Sequence, residues 1–337
     1  MRLLIPCLIL CCISILLPAQ LPPEDTHWQL IFEDQFDSLD QQIWKVANNF
    51  DHYGEPQVYT NRPENVFVQE GELIIQLNKE VYECPDRGGA ACNKSLYEFT
   101  SGWVETGLWS NIRYGYLESR IKLPYGNGIW PAFWTFSLAG HENRSNVAEI
   151  DIFEMLGGNP PTQMGTNLHL AYCRCPGNSC PCEFLGQVRC PEVNPEIRCN
   201  RLDLEIPDYS ANYLTYGLEW TPDKIIWYIN GKMVRNSANP GIVDPVRVIF
   251  TQAVIPWDLP DDTTPFPSTM HIDYFKFYQL ADESPIPDTL RLGGKGKDSI
   301  ITPFTSVTYR AKEEITIQGA FSVPLGASVY MDVNRSH

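Results

Sequence analysis

The sequence predicts an all-β fold of the β-sandwich type. Three observations support it: strand-like apolar runs are separated by turn residues, the 337 residues include 27 Pro and 23 Gly, and 12% are aromatic. Short runs rich in Val, Ile, Tyr, Phe and Trp favour strands, whereas frequent Pro and Gly interrupt helices. Sandwiches of about 200 to 250 residues often form one domain, so the chain can build one large core.

The N-terminus has the pattern of an export signal. Arg2 precedes an apolar run from residue 3 to 17, and Ala19 is a small residue suited to cleavage, which predicts a signal peptide over residues 1–19. The run is short for a membrane span. Cys11 allows a lipoprotein interpretation, which the large leucine before it disfavours. We therefore expect a secreted or cell-surface protein.

Three carboxylates lie within one apolar run, Glu149-Ile-Asp151-Ile-Phe-Glu154. Alternate strand residues point to opposite faces, so Glu149 and Asp151 share a face and Glu154 joins them only if Ile152 and Phe153 form a bulge. The two glutamate Cα atoms are then roughly 13 Å apart, which leaves a gap near 5 Å between the carboxyl groups. A retaining glycosidase needs a separation of about 5 to 5.5 Å.

The alternatives for these acids are a solvated edge strand or a calcium loop. Both are disfavoured, because the residues between the acids are Ile, Ile and Phe rather than polar or basic. The segment resembles the catalytic strand of glycoside hydrolase family 16, in the laminarinase-type variant that contains the bulge.

Further blocks extend this resemblance over about residues 28 to 279. They are Tyr114–Pro124, Gly128–Trp134, Gly165–His169, Tyr216–Gly231 and His271–Tyr278. The resemblance implies a concanavalin A-like jelly roll with the substrate cleft on its concave face, and a catalytic domain over residues 26–280. Within the fourth block, Asn230-Gly231 between two apolar runs predicts a β-hairpin. Trp220 and Trp227 are expected in the core.

The resemblance also implies a role for each acid. Glu149 corresponds to the nucleophile and Glu154 to the residue that acts first as acid and then as base. Asp151 is expected to hydrogen-bond Glu149 and to keep the two glutamates in different protonation states. This chemistry needs no redox or organic cofactor.

Sugar rings present flat apolar faces, so a polysaccharide cleft is expected to have an aromatic floor. The resemblance assigns Trp130, Trp134 and His169 to the cleft, against the alternative that they belong to the core or to ordinary strand packing. Trp257 lies in the Pro-rich loop Ile255–Pro260, where an exposed indole suits sugar stacking.

A structural calcium is a further implication of the resemblance. Its ligands would be Asp273 in the closing strand, the carbonyl of Gly71 in a Gly-Glu-Leu turn, and a carbonyl near Asp34. The alternative is that Asp273 is simply an acid at the end of a strand.

Two departures from the family pattern leave the linkage preference open. Gly54 replaces an Asn that commonly contacts sugar, and Asn48 or Asn49 are candidates to compensate. The second departure is a Cys-rich insertion at about residues 173–200.

Removal of the leader leaves eight cysteines, at 84, 92, 173, 175, 180, 182, 190 and 199. An even number in an exported chain predicts disulfides, with 105 possible connectivities. A zinc site is disfavoured, because Cys-x-Cys spacing differs from the usual Cys-x2-Cys.

Residues 281–337 are predicted to be a linker and a small β-rich segment. The alternating runs at 314–318, 321–323 and 328–333 indicate half-buried strands. About forty residues is little for an independent core, so docking on the main domain, a sorting role and a separate domain all stay open.

The net charge and the aromatic content limit the classes of partner and substrate that the chain is expected to bind. The formal net charge of −16 argues against nucleic acid and anionic membranes. Residues 126–136 and 149–172 contain no Lys or Arg, which favours a neutral polymer, although Arg113 or Arg120 could turn into the cleft. We expect a monomeric β-1,3- or mixed-linkage β-1,3/1,4-glucanase. The alternatives are a marine galactan hydrolase of the agarase, carrageenase or porphyranase type, a non-catalytic glucan-recognition protein, and an adhesin organised around the tail.

Overall fold

The computed structural model describes residues 28–280 except 53, 86–91, 108–111, 138–145, 159, 173–182 and 188–207, together with four strands between residues 289 and 333. These described residues form 21 β-strands and no helix. Accordingly, the described part of the chain contains no apolar helix of the length that crosses a membrane.

The strands of the main body are β1 (Trp28–Asp34), β2 (Trp44–Val46), β3 (Gln57–Tyr59), β4 (Val66–Gln69), β5 (Glu72–Glu83), β6 (Leu96–Ser101), β7 (Trp103–Thr106), β8 (Gly115–Lys122), β9 (Ile129–Ser137), β10 (Asn146–Glu154), β11 (Gly165–Tyr172), β12 (Glu183–Gln187), β13 (Leu214–Trp220), β14 (Lys224–Ile229), β15 (Lys232–Ala238), β16 (Val246–Val254) and β17 (Ser268–Leu280).

Two sheets make up the main body. The ten-stranded sheet has the order β15-β14-β13-β8-β17-β5-β6-β3, with β1 added beside β17 and β4 beside β5. The seven-stranded sheet has the order β12-β11-β10-β9-β16-β7-β2. Pairing within both sheets is antiparallel except between β3 and β6. The predicted β-sandwich is confirmed, with the acid-bearing strand β10 inside the seven-stranded sheet.

Aromatic side chains join the two sheets. Phe133 and Phe250 of the seven-stranded sheet stack with ring centroids 4.7 Å apart. Phe275 of the ten-stranded sheet meets Phe250 at 6.3 Å, and the edge of Trp44 at 5.6 Å. All four side chains are fully buried. Removing one such ring costs about 3 to 5 kcal/mol, so this cluster holds the sheets in register. Trp220 and Trp227 are buried as predicted.

The predicted hairpin at Asn230-Gly231 joins β14 to β15. Both turn residues have left-handed backbone angles, with φ of 49° at Asn230 and 67° at Gly231. Two consecutive positive φ values define the turn that matches the twist of paired strands, and Asn-Gly adopts them at low cost. The hairpin closes with Ile229 opposite Lys232.

The predicted insertion lies partly, and the predicted leader wholly, outside the described residues. Within residues 173–200, strand β12 pairs with β11 at the edge of the seven-stranded sheet. The rest of the insertion and the predicted signal peptide lie outside the described residues. Cys84 and Cys92 form a disulfide, and the six cysteines between positions 173 and 199 lie outside the described residues.

Four strands occur after residue 280. They are β18 (Thr289–Gly293), β19 (Ser306–Ala311), β20 (Glu314–Gln318) and β21 (Ser328–Val333). β18 pairs with β20 and β19 with β21, in both cases parallel. Two of the three predicted strands therefore coincide with β20 and β21. The run at 321–323 lies outside the described residues, and the domain boundaries stay a prediction.

Candidate active site

A bulge in β10 brings the three carboxylates to one face. Toward β9, Asp151 lies opposite Trp134 and the next pair is Phe153 with Phe133, so Ile152 is the extra residue. Ile152 and Phe153 are both buried, 3% and 0% exposed. The alternation of faces is thereby shifted by one residue, and Glu154 lines the same cavity as Glu149 and Asp151. The predicted bulge is confirmed.

Strand β11 supplies partners to the acids. His169 lies opposite Glu149, and its Nε2 is 3.2 Å from Asp151 Oδ2 and 3.6 Å from Glu149 Oε1. The side-chain amide of Asn167 donates to Glu154 Oε2 at 2.5 Å. Asp151 is hydrogen-bonded to Glu154, whereas the sequence analysis expected its bond to go to Glu149. The bulge explains the difference, because it turns Glu154 back toward Asp151.

Burial and the charges of neighbouring acids raise the pKa values of Glu149 and Asp151, which favours their protonated forms. Burial, and then the charge of Asp151, raise the pKa of Glu149 to about 8, while His169 lowers it. Burial first, and then the Glu154 charge, raise the pKa of Asp151 well above its usual range. Asp151 is 2% exposed, and the buried Arg235 behind it acts in the opposite direction. Neighbouring acids with displaced pKa values are typical of acid–base catalysis.

The floor of the cavity is aromatic, as predicted. The pocket of about 160 Å³ is lined by the three acids, His169, Trp130 and Trp134. Trp134 is 7% exposed, and its Nε1 donates to Thr251 Oγ1 at 3.2 Å. The indole N–H of Trp130 is buried and has no hydrogen-bond partner among the described residues. A donor in this position is available to a sugar oxygen.

Trp257 lies beside the pocket rather than in its wall. Its ring is 69% exposed and meets Trp130 edge-on, with centroids 5.6 Å apart. The loop that carries Trp257 packs on Gly128, which has φ +74°, and a Cβ there would lie 2.2 Å from the backbone nitrogen of Pro260. Gly128 thus permits the close approach that positions the two indoles.

The pocket is also lined by side chains that the sequence did not single out, among them His52, Glu55, Tyr59 and Trp103. Glu55 accepts hydrogen bonds from Tyr59 Oη at 2.9 Å and Gln57 Nε2 at 2.6 Å. Burial raises the pKa of Glu55 to about 7, against the effect of these hydrogen bonds. Glu55 and Tyr59 belong to the block that begins at Gly54, so the signal was present. Trp103 carries no local pattern that separates it from a core tryptophan.

The substitution of Asn by Gly at position 54 is not compensated by Asn48 or Asn49 within the pocket. Asn49 is 7% exposed, and its side-chain oxygen accepts from Tyr82 Oη at 2.7 Å. Asn48 Oδ1 accepts from the backbone nitrogen of Asn61 at 3.5 Å. Neither is among the residues that line the pocket. Neither residue therefore replaces the missing Asn within this pocket, and compensation elsewhere in the cleft stays a prediction.

The predicted calcium ligands lie on the other sheet. Gly71 forms the β4–β5 turn with φ 76°, and β5 runs beside β17, which carries Asp273. Arg120 Nη1 binds Asp273 Oδ2 at 2.6 Å, and the guanidinium lies 4.4 Å from the Tyr213 ring centroid. A cation already neutralises Asp273, so these residues do not fit a calcium ion well. Arg120 also faces away from the cleft.

A second donor set lies within the pocket itself. Glu149, Asp151 and His169 have ligand atoms within 4.8 Å of one another, which is a spacing that suits a metal.

The family model for "Glycosyl hydrolases family 16" matches residues 54–274. The chain belongs to this family. It is therefore an O-glycoside hydrolase, and enzymes of the family use a retaining mechanism without a catalytic cofactor.

Similar proteins agree with this membership. The chain is 28% identical to a beta-glucanase of Rhodothermus marinus, over 76% of this chain and 87% of that protein. It is 26% identical to glucan endo-1,3-beta-glucosidase A1 of Niallia circulans, over 76% of this chain but 39% of that protein. A kappa-carrageenase of Pseudoalteromonas carrageenovora is 28% identical over 66% of this chain and 54% of that protein. Among solved structures, the laminarinase catalytic domain of Thermotoga petrophila has a TM-score of 0.57 and 28% identity, covering 76% of this chain and all of that one.

Proposed function

We propose that this family 16 hydrolase is a secreted endo-β-glucanase that cleaves internal bonds of β-1,3-glucan or mixed-linkage β-1,3/1,4-glucan. The observation that carries the proposal is the bulge at Ile152, because it places Glu149, Asp151 and Glu154 in one aromatic-floored pocket. The similar beta-glucanase and endo-1,3-beta-glucanase support the choice of polymer.

Each carboxylate has one task in the proposed mechanism. Glu149 attacks the anomeric carbon as the leaving oxygen takes a proton from Glu154, which forms a glycosyl-enzyme ester and releases one end of the polymer. Glu154 then removes a proton from water, and the resulting hydroxide displaces Glu149 from the same face that the leaving group occupied. Two inversions give net retention.

Asp151 and His169 control the protons between these steps. A proton on Asp151 removes the like-charge repulsion that Glu149 would otherwise meet, and the His169 contact further favours the ionised glutamate. Asn167 holds Glu154 from the opposite strand. Glu149 is thereby available for attack while the second glutamate stays fixed at the leaving group.

A neutral backbone is favoured at the point of cleavage. Within the described part of the chain, none of the residues that line the catalytic pocket is Lys or Arg. A sulfate placed among three acids would lack a compensating cation, so it would raise the cost of desolvation. Laminarin is expected to be hydrolysed at least about tenfold faster than carrageenan or porphyran, which corresponds to roughly 1.4 kcal/mol in the transition state.

The test is hydrolysis of laminarin, lichenan, agarose and carrageenan by the purified chain, followed by reducing-end release and by NMR of the first anomer formed. Cleavage of laminarin or lichenan with β-configured product and internal fragments supports the proposal. Rapid cleavage of carrageenan with inert laminarin would transfer the assignment to the galactan hydrolases. Binding of laminarin without any hydrolysis would favour a glucan-recognition protein.

A further inference from the structure

A second cavity of about 430 Å³ adjoins the catalytic pocket on the seven-stranded sheet. It shares His52, Trp103 and Trp134 with that pocket, and its outer wall adds Lys45, Glu105, Phe136 and Arg247. We call this cavity the side pocket. A polymer chain that crosses the sheet from the catalytic acids reaches it directly, because Trp103 and Trp134 form a common wall.

Arg247 has an N–H group without a hydrogen-bond partner among the described residues. Its Nη1 lies 3.2 Å from Glu105 Oε1, and its Cζ lies 5.4 Å from the Phe136 ring centroid. The side chain is 26% exposed, and its Nε is buried with no hydrogen-bond partner among the described residues. A guanidinium carries five N–H donors in a planar fork, and the hydrogen bond from Nη1 to Glu105 uses one of them.

The charges of the side pocket are not balanced. Among the described residues, Glu105 is the one carboxylate that lines the side pocket, and its side chain also accepts from Trp103 Nε1 at 2.9 Å. Two cations, Arg247 and the exposed Lys45, face it from the neighbouring strands β16 and β2. Burial, and then the Arg247 charge, lower the pKa of His52 to about 4, so His52 is neutral at pH 7. One net positive charge therefore remains.

We propose that the side pocket is a subsite for a sugar unit bearing one anionic group, a carboxylate or sulfate, on the glucan that runs through the active site. The proposal rests on the proposed function. Arg247 binds the anionic oxygens with its free N–H groups, Lys45 adds a second positive charge, and the Trp103 and Phe136 rings contact the sugar. The catalytic pocket next to it excludes the same group, since the described residues that line it include four acids and no Lys or Arg.

The positions of Arg247 and Lys45 differ from the expectation that the cleft contains no Lys or Arg. The segments that flank the catalytic strand do lack Lys and Arg, but the cleft continues across β16 and β2, which supply Arg247 and Lys45. The neutral backbone and the charged substituent are therefore recognised at different places.

The experiment compares kcat/KM on laminarin, a lightly carboxymethylated β-1,3-glucan and a lightly sulfated β-1,3-glucan, for wild type, Arg247→Gln and Lys45→Gln. Arg247→Gln is expected to lose at least about tenfold on the anionic polymer that fits and less than about threefold on laminarin. Lys45→Gln should lose less. Raising the salt concentration from about 20 to 300 mM should weaken only the anionic substrate, because screening acts on the charge interaction.

Two further variants separate recognition from positioning. Arg113→Gln removes an exposed arginine that lies over the Tyr114 ring outside both pockets. This variant should therefore leave kcat/KM unchanged on all three polymers. Arg247→Lys keeps the charge and should retain a large part of the anionic preference. An equal loss on all polymers, or no loss, would overturn the proposal. Failure of wild type to cleave any of the three would instead overturn the proposed function.

Discussion

The side chains of Asp151 and Glu154 are hydrogen-bonded to each other. Ionised carboxylates only accept hydrogen bonds, so one of the two carries a proton. Burial, and then the Glu154 charge, raise the pKa of Asp151 well above its usual range, which favours the proton on Asp151. A neutral Asp151 then stands between two glutamates that must alternate in charge. This pair links the geometry of the bulge to the order of proton transfers.

The first prediction concerns the relative cost of losing each acid. Glu149→Gln and Glu154→Gln should each reduce kcat on laminarin by at least about a thousandfold, because each removes a required role in a two-step displacement. Asp151→Asn should cost less, since Asn imitates the neutral hydrogen-bonding form. Circular dichroism should show all three variants folded.

An azide experiment separates the roles of the two glutamates. With an activated aryl glycoside, Glu154→Ala should regain activity on addition of azide and give the β-azide, because the leaving group then needs no acid. Glu149→Gln is the control, because azide should not restore a retaining reaction in this variant. Formation of an α-azide by Glu154→Ala, or rescue confined to Glu149 variants, would reverse the assignment.

The second prediction concerns the acid limb of the pH–rate profile. The contact with His169 lowers the pKa of Glu149, so replacing His169 by Gln should raise that pKa. The acid limb of kcat/KM, which follows ionisation of the nucleophile, should then move to higher pH by roughly half a unit or more. Thr251→Ser, also in the pocket wall, is the control. A limb that stays in place in His169→Gln contradicts the prediction.

The third prediction concerns stability against pH. The pKa of Glu149 is raised from 4.5 unfolded to about 8 folded, so the native state binds the extra proton and loses stability as pH rises from about 4.5 to 8. Glu149→Gln removes this penalty, which is at most roughly 4 kcal/mol before solvent screening. Its Tm should exceed that of wild type by at least about 4 °C at pH 8.

At pH 4.5 the same variant should melt within about 1 °C of wild type, because the carboxyl group is then protonated. Glu98→Gln, an exposed change on β6, is the matched control and should show no such pH dependence. A Tm difference for Glu149→Gln that is equal at both pH values would refute the electrostatic origin.

The fourth prediction separates the two indoles beside the catalytic acids. Trp130→Ala should lower kcat/KM on laminarin by about a hundredfold, because it removes a wall of the pocket and a buried N–H donor. Trp257→Ala should cost about tenfold, mainly through KM, since this exposed ring contacts only the edge of Trp130. Leu259→Ala, exposed in the same loop, is the control. Equal losses for Trp257→Ala and Leu259→Ala would remove Trp257 from the binding surface.

The fifth prediction concerns the cysteines. The even number in the mature chain and the Cys84–Cys92 disulfide lead us to expect all eight to be oxidised. Thiol titration of the denatured, unreduced protein should find close to none, and the reduced protein provides the control. Several free thiols together with stoichiometric zinc would favour a metal site instead.

The sequence by itself determined the acid-bearing strand β10 and its bulge. Three acids separated by Ile and Phe can share a face only through a bulge, because strand geometry alternates with a period of two residues. The β-sandwich, the Asn230-Gly231 hairpin and the burial of Trp220 and Trp227 followed from equally local rules of strand alternation and turn conformation.

Only the tertiary structure decided which distant residues meet the acids. His52, Glu55 and Trp103 reach the pocket through strand order, and that order places β16 between β9 and β7 although β16 is far from both in sequence. The partner of Asp151 also depended on how far the bulge rotates Glu154. Arg247 and Lys45 are ordinary strand cations in the sequence, and their shared face exists because non-local pairing brings β16 and β2 to opposite sides of β7. Local sequence patterns encode which face of β10 carries the acids and where the β14–β15 turn forms. The charge balance of the site instead arises from strand pairings that no short segment specifies.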